Sequence, residues 1–596
     1  MIPKRWFSTI SLLVVAGMML GACGPQAAAP TPTTGTAPGG EATATTSAGG
    51  AEATATSPAA EATQPTTGGG SAQKGIPGVL RVNWGSEPAT IDPQKMSFVG
   101  EIAVGELVFE GLMELNEKLE PVPAAAEKCE ASADGLVYTC TVRDGLKYSD
   151  GTPLTARNFE YAWKRLFDPT LPGREYAFVA YDIKGAQELS EMEDTSDKAK
   201  LDAAWANLGV KALDDKTIQF TLKQKAAYFP YILALWTGWP SRQDLVEAGG
   251  EDWTTRDNGK YYIGNGPFIM TEYSEQGMKF KANPNYRKGE PKIKEIRAVY
   301  INDSAVSFQA YRNGELDVVG VAPEDYQTVQ NDPQLKSEFI QWPGSCNFYL
   351  GFNTKKPPFD NMKVRQAFAQ AFDREDYVKN VLKGLGQVAL SFIPPDRPGY
   401  DPDLKMWEFN ADAAKKTLAD AGYPNGQGLP EIKLTYSSSP RNKTRMEWVQ
   451  NQIQKNLGIT VQLDPVEPKA YTELVKDPAT TPQVFFLGWC QDYPDPQDWL
   501  TLVFHSESTI THIGWKNDEF DQLTRQADQE PDQQKRLQMY KQAQEILVRE
   551  APAVFLYWDV NTALIKPYVK GMREHVNPQD HVIPGFMNIM NIEVAP

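Results

Sequence analysis

Three aspartates at intervals of three residues, Asp492, Asp495 and Asp498, stand out in the stretch GWCQDYPDPQDWL at residues 488–500. Carboxylates in one loop could bind Ca²⁺, but this spacing departs from the EF-hand loop and the glycine that such a loop needs is missing. A pair of carboxylates could also serve a glycosidase, yet acidic side chains are too abundant in this chain for any pair to stand out. We therefore predict no metal site.

The sequence carries none of the common catalytic motifs. It has no phosphate-binding Gly-rich lysine loop, no His-Glu-x-x-His zinc pair and no Gly-x-Ser-x-Gly nucleophile elbow. The histidines come late in the chain without metal-ligand spacing, and we expect them at the surface or at the edge of a cleft: His505, His512, His575 and His581. We predict that the protein is not an enzyme and needs no cofactor.

Bulk composition narrows the class of protein. A chain of 596 residues exceeds what one hydrophobic core usually supports, so we expect about two to four domains. The net charge of -17 argues against a nucleic-acid partner, because phosphate binding needs clustered lysine and arginine. Aromatic residues make up 11% of the chain, which is enough to line a sizeable ligand cleft as well as the core.

The first residues predict export. Lys4 and Arg5 precede an apolar run at residues 10–20, which is too short to span a bilayer but suits the central region of a signal peptide. The run ends in Leu-Gly-Ala-Cys, which resembles the bacterial lipobox, whose cysteine becomes the lipidated N-terminus. We predict a signal peptide over residues 1–22 and a lipid anchor at Cys23. The protein would then face the periplasm or the cell exterior; an ordinary signal peptide with a chance cysteine is the alternative.

Residues 23–75 are predicted to be the lipidated N-terminus and a disordered linker. From residue 24 onward the composition is almost entirely Ala, Thr, Pro, Gly and Ser. Such a segment cannot bury enough apolar surface to offset its conformational entropy. It would hold a folded body away from a membrane while leaving that body free to turn.

Apart from the predicted anchor, four cysteines remain, an even number in an exported chain that allows three pairings. Cys129 and Cys140 lie symmetrically about an Asp-Gly pair at residues 134–135, a favoured two-residue hairpin turn. A hairpin centred there would place them opposite each other, at a distance that a disulfide can bridge. The remaining pair would be Cys346 with Cys490, and two buried free thiols are the alternative.

The folded part alternates strands and helices from a first strand pattern near Ile76. Residues 431–490 show the order strand, helix, strand, short helix around Tyr471, and strand. This alternation implies right-handed crossovers and a largely parallel sheet. The acidic loop would then follow the carboxyl end of a buried strand, where open α/β sheets bind ligands, which favours a functional role for Asp492.

A series of short motifs follows in a characteristic order along the chain. They are SEPATIDPQK, LVFEGL, VRDGLKYSDGTPLTARNFEYAWKR, GNGPF, YRNGELD, NTKKPPFDNMKVRQAFAQAFDRE and GWCQDYPDP. With this order and spacing the chain resembles the extracellular solute-binding receptors of bacterial ABC importers, specifically the oligopeptide and dipeptide class. The resemblance extends from about Val79 to the C-terminus.

This resemblance implies an α/β fold, a bilobal clamshell of the periplasmic-binding-protein type with a third, inserted domain. The implied boundaries are residues 76–109, 238–345 and 558–596 for domain I, 110–237 for domain II and 346–557 for domain III. Such receptors are monomers that enclose a peptide between closing lobes and deliver it to a permease with its ATPase. Cys346 and Cys490 match cysteines that are bridged in oligopeptide-binding members.

The resemblance also implies ligand-binding residues. The aspartate of the WC-x-DY stretch pairs with the α-ammonium group of the peptide, and Asp492 is the matching residue. The peptide backbone is bound in strand fashion through main chain that matches Val99 on one side and Gly488, Trp489 and Cys490 on the other. Main-chain hydrogen bonds ignore side-chain identity, which suits a receptor for many sequences.

Further aromatic residues belong to the predicted site. Tyr493 completes the WC-x-DY stretch. Tyr176 aligns loosely with a ligand-binding position and Tyr471 with a ring over a side-chain pocket, although both could equally be ordinary, partly buried tyrosines. Phe486 departs from the family pattern, because certain oligopeptide receptors carry at that position an arginine that helps to bind the carboxylate of short peptides. This receptor would therefore admit longer peptides or use another cation.

Two alternatives to a peptide receptor remain open at this point. Relatives of the same fold bind oligosaccharides, nickel complexes or other small solutes, and the tryptophan-rich composition would suit sugar stacking. A secreted hydrolase is a remote alternative, since no catalytic motif supports it.

Overall fold

The computed structural model describes residues 75–510 and 513–596. The predicted signal peptide, the lipid anchor at Cys23, nearly all of the predicted linker and His512 lie outside these residues. Within the described part, no helix is long and apolar enough to cross a membrane.

Strands and helices alternate along the chain, as the sequence predicted. The strands of the described part are β1 (Val79–Asn83), β2 (Met113–Leu115), β3 (Pro121–Pro123), β4 (Ala126–Ala131), β5 (Val137–Val142), β6 (Val210–Ala212), β7 (Thr217–Thr221), β8 (Phe268–Ser274), β9 (Gly277–Ala282), β10 (Glu295–Val299), β11 (Val318–Gly320), β12 (Phe339–Phe352), β13 (Gly386–Val388), β14 (Lys433–Ser437), β15 (Gln462–Val466), β16 (Val484–Cys490), β17 (Ala553–Ile565), β18 (Val569–Lys570) and β19 (Glu593–Val594).

The helices vary from single turns to eighteen residues. They are α1 (Val99–Val108), α2 (Ala156–Leu166), α3 (Ala186–Ser190), α4 (Lys198–Asn207), α5 (Phe229–Ile232), α6 (Gln243–Gly249), α7 (Arg256–Gly259), α8 (Ser304–Arg312), α9 (Pro323–Asn331), α10 (Pro333–Glu338), α11 (Met362–Gln370), α12 (Arg374–Asp376), α13 (Ala411–Asp420), α14 (Pro440–Leu457), α15 (Pro468–Lys476), α16 (Pro496–Trp499), α17 (Thr501–Phe504), α18 (Asp518–Gln529) and α19 (Gln533–Glu550).

One large mixed sheet organises the fold, with the strand order β15-β14-β16-β12-β17-β11-β1-β10-β9-β8 and β13 added beside β17. Strands β14, β15 and β16 pair in parallel, which confirms the arrangement predicted for residues 431–490. The short helix predicted around Tyr471 is α15. Beyond this segment the sheet is mixed, because β16 pairs with β12 in antiparallel fashion.

Two long strands join the two ends of the large sheet. The first part of β12 pairs with the second part of β17, which also pairs with β11. The last part of β12 pairs with both β17 and β16. The register of β12 against β17 shifts between Pro343 and Asn347, and again between Phe348 and Tyr349. Such irregularities bend a strand and increase its twist.

A smaller four-stranded sheet, β4-β5-β7-β6, contains the predicted hairpin. Cys129 lies directly opposite Cys140 in the β4/β5 pair and is bonded to it, with Cα atoms 4.0 Å apart. The predicted two-residue turn is wrong in detail, because the ladder already closes at Ser132 and Val137. Asp134 and Gly135 form the tip of a wider loop, in which Gly135 has a φ of 72°. The register was predicted correctly because a symmetric widening of the loop leaves it unchanged.

The second pair of cysteines is confirmed as well. Cys346 on β12 lies opposite Cys490 on β16 and is bonded to it, across a sequence separation of 144 residues. The bridge therefore lies beside the irregular part of β12 and at the base of the acidic loop.

The two disulfides are expected to stabilise the protein unequally, because closing a longer loop removes more entropy from the unfolded chain. The separations are 144 and 11 residues. Serine at both Cys346 and Cys490 should cost about 5 kcal/mol of unfolding free energy, against about 3 kcal/mol for serine at both Cys129 and Cys140. Urea denaturation of the ligand-free variants measures both losses. A larger loss for the hairpin pair would contradict this order.

Candidate functional site

A cavity of about 680 Å³ lies between the two ends of the large sheet. One side is formed by residues 82–89, which follow from the carboxyl end of β1, and by residues 97–102 at the start of α1. The other side is formed by the first turns of α14 and α15 and by residues 485–490 of β16. It lies at the carboxyl end of β1, where open α/β sheets bind ligands, and alongside β16.

Most of the residues predicted from the sequence line this cavity. They are Val99, Tyr176, Tyr471, Phe486, Gly488, Trp489, Cys490 and Asp492. Tyr493 lies elsewhere: its side chain is fully buried and its ring stacks on Tyr231 at 5.7 Å between centroids. Its hydroxyl donates a hydrogen bond to the Gln497 side chain. The structure therefore brings together eight of the nine predicted residues and places the ninth behind the loop.

The Asp492 carboxylate is buried, and no cationic side chain of the described residues pairs with it. The Tyr176 hydroxyl donates a hydrogen bond to it at 3.1 Å. Among the described residues, no lysine, arginine or histidine lies within ion-pair distance of this carboxylate. Burial raises the pKa of Asp492 to about 8, and the hydrogen bond from Tyr176 offsets only part of this rise. A cationic ligand group would supply the missing counter-charge.

The other two aspartates of the loop hold it in place. Asp498 is fully buried and accepts hydrogen bonds from the Asp492 amide at 3.2 Å and from the Trp489 indole at 3.4 Å. Burial raises the pKa of Asp498 well above its usual range, and the nearby charge of Asp492 adds to this. Asp495 forms a two-fold ion pair with Arg536, at 2.6 and 2.7 Å. Asp495 and Asp498 thus fix the conformation of the loop that carries Asp492.

Aromatic rings line the cavity around the loop. Tyr176 lies in a 3₁₀ helix, Glu175–Ala180, and its ring stacks on Trp489 at 6.3 Å between centroids with an interplanar angle of 11°. The Tyr471 hydroxyl donates to the Phe486 carbonyl at 2.7 Å. The Phe486 ring stacks on Phe348 at 5.9 Å. Phe486 therefore acts as a packed apolar residue, and it supplies no charge to the cavity.

The cavity exposes an unpaired strand edge. Strand β14 pairs with β16 only at Val484 and Phe485, so residues 486–490 have a strand partner on the β12 side alone. Opposite them lies Val99, the first residue of α1, which is 37% exposed. The amides of the two preceding residues donate to the Glu101 carboxylate at 2.9 and 3.1 Å, whereas the Val99 amide has no acceptor among the described residues. An extended chain could therefore pair with main chain on both sides.

Two arginines in the cavity were missed by the sequence reasoning. Arg441 and Arg445 lie one turn apart at the start of α14, and both line the cavity. In the part of the chain that is described, neither has a carboxylate within 4.0 Å. The Arg445 guanidinium lies over the Phe348 and Tyr557 rings, at 5.9 and 5.6 Å from their centroids. Burial and repulsion from Arg445 lower the pKa of Arg441. The available signal was a pair of arginines four residues apart, just after the strand pattern of β14.

His581 also lines the cavity, as expected for a residue at the edge of a cleft. Its Nδ1 lies 3.7 Å from the Cys346 sulfur, and burial lowers its pKa to about 4. Cys346 and Cys490 are close enough to share a metal ion with His581, but their sulfurs are bonded to each other and offer no thiolate.

Known proteins resemble this chain both in sequence and in fold. The profile of the bacterial extracellular solute-binding proteins, family 5 (middle region), matches residues 120–510. The oligopeptide-binding protein OppA of Bacillus subtilis is 32% identical over 507 residues, which cover 83% of this chain and 90% of that protein. The structure of Haemophilus influenzae OppA in complex with RPPGFSPFR has a TM-score of 0.78 at 25% identity, covering 88% of this chain and 100% of that one.

The murein tripeptide binding protein MppA of Escherichia coli allows a comparison of domain arrangement. One of its structures has a TM-score of 0.77 at 28% identity, covering 87% of this chain and 98% of that one. The unliganded open form of the same protein reaches only 0.59 over the same coverage. Since both structures contain the same protein, the difference reflects how its lobes are arranged, and the arrangement in this chain is further from the open form.

These similarities confirm the α/β clamshell fold and the resemblance inferred from the motifs. The chain therefore belongs to the bacterial extracellular solute-binding proteins of family 5, a family of binding proteins rather than enzymes, in agreement with the expectation drawn from its lack of catalytic motifs.

Proposed function

We propose that this chain is a lipid-anchored receptor that encloses oligopeptides between two lobes and delivers them to an ABC permease and its ATPase. The anchor is Cys23, and the receptor acts as a monomer outside the cytoplasm. Domain I comprises residues 76–109, 238–345 and 558–596, domain II residues 110–237 and domain III residues 346–557. The register shift in β12 next to residue 346 supports a hinge at the boundary between domains I and III.

The observation that carries the proposal is the Asp492 carboxylate, which lines the cavity without a cationic partner among the described residues. The α-ammonium group of a peptide matches it in charge and size. A charge-assisted hydrogen bond is strong in a site with little water, and an ammonium left unpaired there would be costly. Asp492 therefore selects ligands with a free N-terminus.

The open edge of β16 supports binding of the peptide backbone. Main-chain groups of Gly488, Trp489 and Cys490 face Val99 across the cavity and can pair with an extended ligand. A peptide added to a strand edge gains affinity from its main chain, whatever its side chains are. This accounts for a receptor that accepts many sequences.

Certain oligopeptide receptors carry a carboxylate-binding arginine at the position of Phe486. In this chain Arg441 and Arg445 take over that role and bind the C-terminal carboxylate of the peptide. Arg445 lies over Phe348, which is opposite Gly488 in the β12/β16 register, and Asp492 follows Gly488 by four residues. Strand β16 ends at Cys490 and the loop continues to Asp492, so this path spans at most roughly 13 Å. Peptides of about four residues would reach from Asp492 to the arginines.

Purified receptor is expected to carry a heterogeneous set of short peptides, because closed lobes release their ligand slowly. Native mass spectrometry before and after mild unfolding and refolding identifies them. Calorimetry with tetrapeptides, an oligosaccharide and a nickel chelate then tests the stripped protein. Binding of only the non-peptide solutes, or no heat with any peptide, would contradict the proposal.

Neutralising the two arginines should remove the preference for a free carboxylate. The wild-type protein is expected to bind a tetrapeptide about tenfold more tightly than its C-terminal amide, since a charge-assisted contact is lost in the amide. The variant with Arg441→Gln and Arg445→Gln should bind both forms equally. Arg157→Gln is the matched control, because Arg157 is 62% exposed and lies outside the cavity. A double variant that still prefers the acid would contradict this role.

A further inference from the structure

A second cavity of about 200 Å³ opens beside the first, next to Asp492. The two share lining residues, among them Val99, Ile102, Cys490 and Asp492. Further in, the second cavity is lined by Trp236, Trp239 and Glu106. We propose that this side pocket binds the basic side chain, lysine or arginine, of the first residue of a bound peptide, with Glu106 as its counter-charge. The inference rests on the proposed function.

Helix α1 connects the two cavities. Val99, Ile102, Ala103 and Glu106 recur at helical spacing and all line the second cavity, while Val99 and Ile102 also face the first. Glu106 follows Ile102 by one turn, which is about 6 Å along the helix. The methylene stem of a lysine side chain spans a similar length. A side chain that leaves the ligand beside Ile102, which lines both cavities, can therefore reach Glu106.

Glu106 lacks the partners that satisfy its acidic neighbours. Glu101 pairs with Lys476 at 3.2 Å, and Glu110 pairs with Arg287 at 2.6 Å. Within the described chain, no hydrogen-bond donor or cation contacts the Glu106 carboxylate. Burial raises the pKa of Glu106 to about 8, and the charge of Asp580 adds to this. A carboxylate in this position is stabilised when a cation enters the pocket.

The other charged groups at this pocket are already engaged. Asp580 accepts hydrogen bonds from the amides of Asn577, Gly585 and Phe586 at 2.6, 2.8 and 3.0 Å. Lys288 pairs with Glu114 at 2.6 Å. Asp492 also lines this pocket, but in the proposed function it pairs with the α-ammonium group of the ligand, so Glu106 is left for a second ligand cation in the described structure.

The walls suit the rest of a basic side chain. The Trp236 indole donates its N–H to the Met96 carbonyl at 3.0 Å, which leaves the ring as an apolar surface. Trp239, Met587 and Met590 complete the apolar lining. Lysine and arginine bury their stems against apolar groups, and tryptophan rings attract their cationic ends.

Calorimetry with tetrapeptides tests the proposal. We expect wild-type protein to bind Lys-Ala-Ala-Ala at least tenfold more tightly than the same peptide with norleucine first, which has a similar stem and no charge. Moving lysine to the second position should remove the advantage. In Glu106→Gln, the lysine and norleucine peptides should bind equally, and the norleucine affinity should stay within about twofold of wild type, which shows that the variant is folded.

Two results would overturn the inference: equal affinity of wild type for lysine and norleucine peptides, or a lysine preference that survives in Glu106→Gln. Glu127→Gln is the matched control, because Glu127 is exposed and lines neither cavity. Failure of the proposed function itself looks different, since then no tetrapeptide binds the wild-type protein.

Discussion

Asparagine in place of Asp492 is expected to weaken peptide binding about 100-fold, because it removes the counter-charge of a buried ammonium group. Asparagine keeps the size of the side chain and still offers the Tyr176 hydroxyl an acceptor. The loss should therefore come from the charge and leave the shape of the cavity intact. Calorimetry with a tetrapeptide measures it. Nα-acetylated peptide, which has no ammonium group, should bind wild type and variant alike, and a variant that keeps wild-type affinity for the free peptide would refute the role of Asp492.

The same substitution should stabilise the ligand-free protein at neutral pH. The pKa of Asp492 is about 8 in the folded state and near 4 in an unfolded chain, so the folded state binds more protons between these values. Unfolding free energy then falls as the pH rises from about 4 to 8. Asparagine removes the free-energy cost of ionising a buried carboxyl group at position 492. The gain is smaller than the full pKa shift implies, because the neighbouring Asp498 contributes to the same cost. We expect a gain on the order of 1–3 kcal/mol at pH 8 and almost none at pH 4. Urea denaturation at both pH values checks the sign.

Asparagine in place of Asp495 should lower the unfolding free energy, the opposite of the effect expected at Asp492. The two aspartates lie only three residues apart in the same loop. The ion pair of Asp495 with Arg536 is nearly inaccessible, with side-chain exposures of 13% for Asp495 and 2% for Arg536. Removing one partner of a buried pair leaves the other charge uncompensated and costs about 3–5 kcal/mol. Asp495 also caps α16 by accepting from the Gln497 amide at 2.9 Å.

Chemical denaturation measures this loss, and Asp518→Asn provides the comparison. Asp518 pairs with Lys516 at 3.2 Å, but the side chains are 89% and 64% exposed, so the pair should contribute less than about 1 kcal/mol. A variant at Asp495 that is as stable as the one at Asp518 would show that the Arg536 pair does not hold the loop. The two expected results together would distinguish an aspartate that stabilises the protein, Asp495, from one that binds ligand at the cost of stability, Asp492.

Local features of the sequence predicted much of this protein. The symmetric spacing of Cys129 and Cys140 about an Asp-Gly pair predicted their register, because a hairpin is specified by its turn and by a few residues on each side. The alternation of strand and helix patterns predicted the parallel pairing of β14, β15 and β16 for the same local reason. The ordered motifs predicted the family, and they pointed to Asp492, whose side chain lines the cavity.

The sequence did not predict in which direction each side chain of the WC-x-DY motif points. Asp492 lines the cavity, whereas the adjacent Tyr493 is buried behind it. Neighbouring residues in an extended or turning segment point in different directions, and which one faces the ligand depends on what packs against the other.

The sequence by itself predicted the alternation of elements, the hairpin register and the cysteine pairs, and it indicated the acidic loop as a candidate ligand site. Only the tertiary structure brought Arg441 and Arg445 to the first cavity and Glu106 to the second, with Asp492 lining both. Turn chemistry and hydrophobic periodicity act over about ten to twenty residues, so they can be read locally. Charges from distant segments meet only after the large sheet has formed and its two ends have been joined by β12 and β17, and no local pattern encodes that meeting.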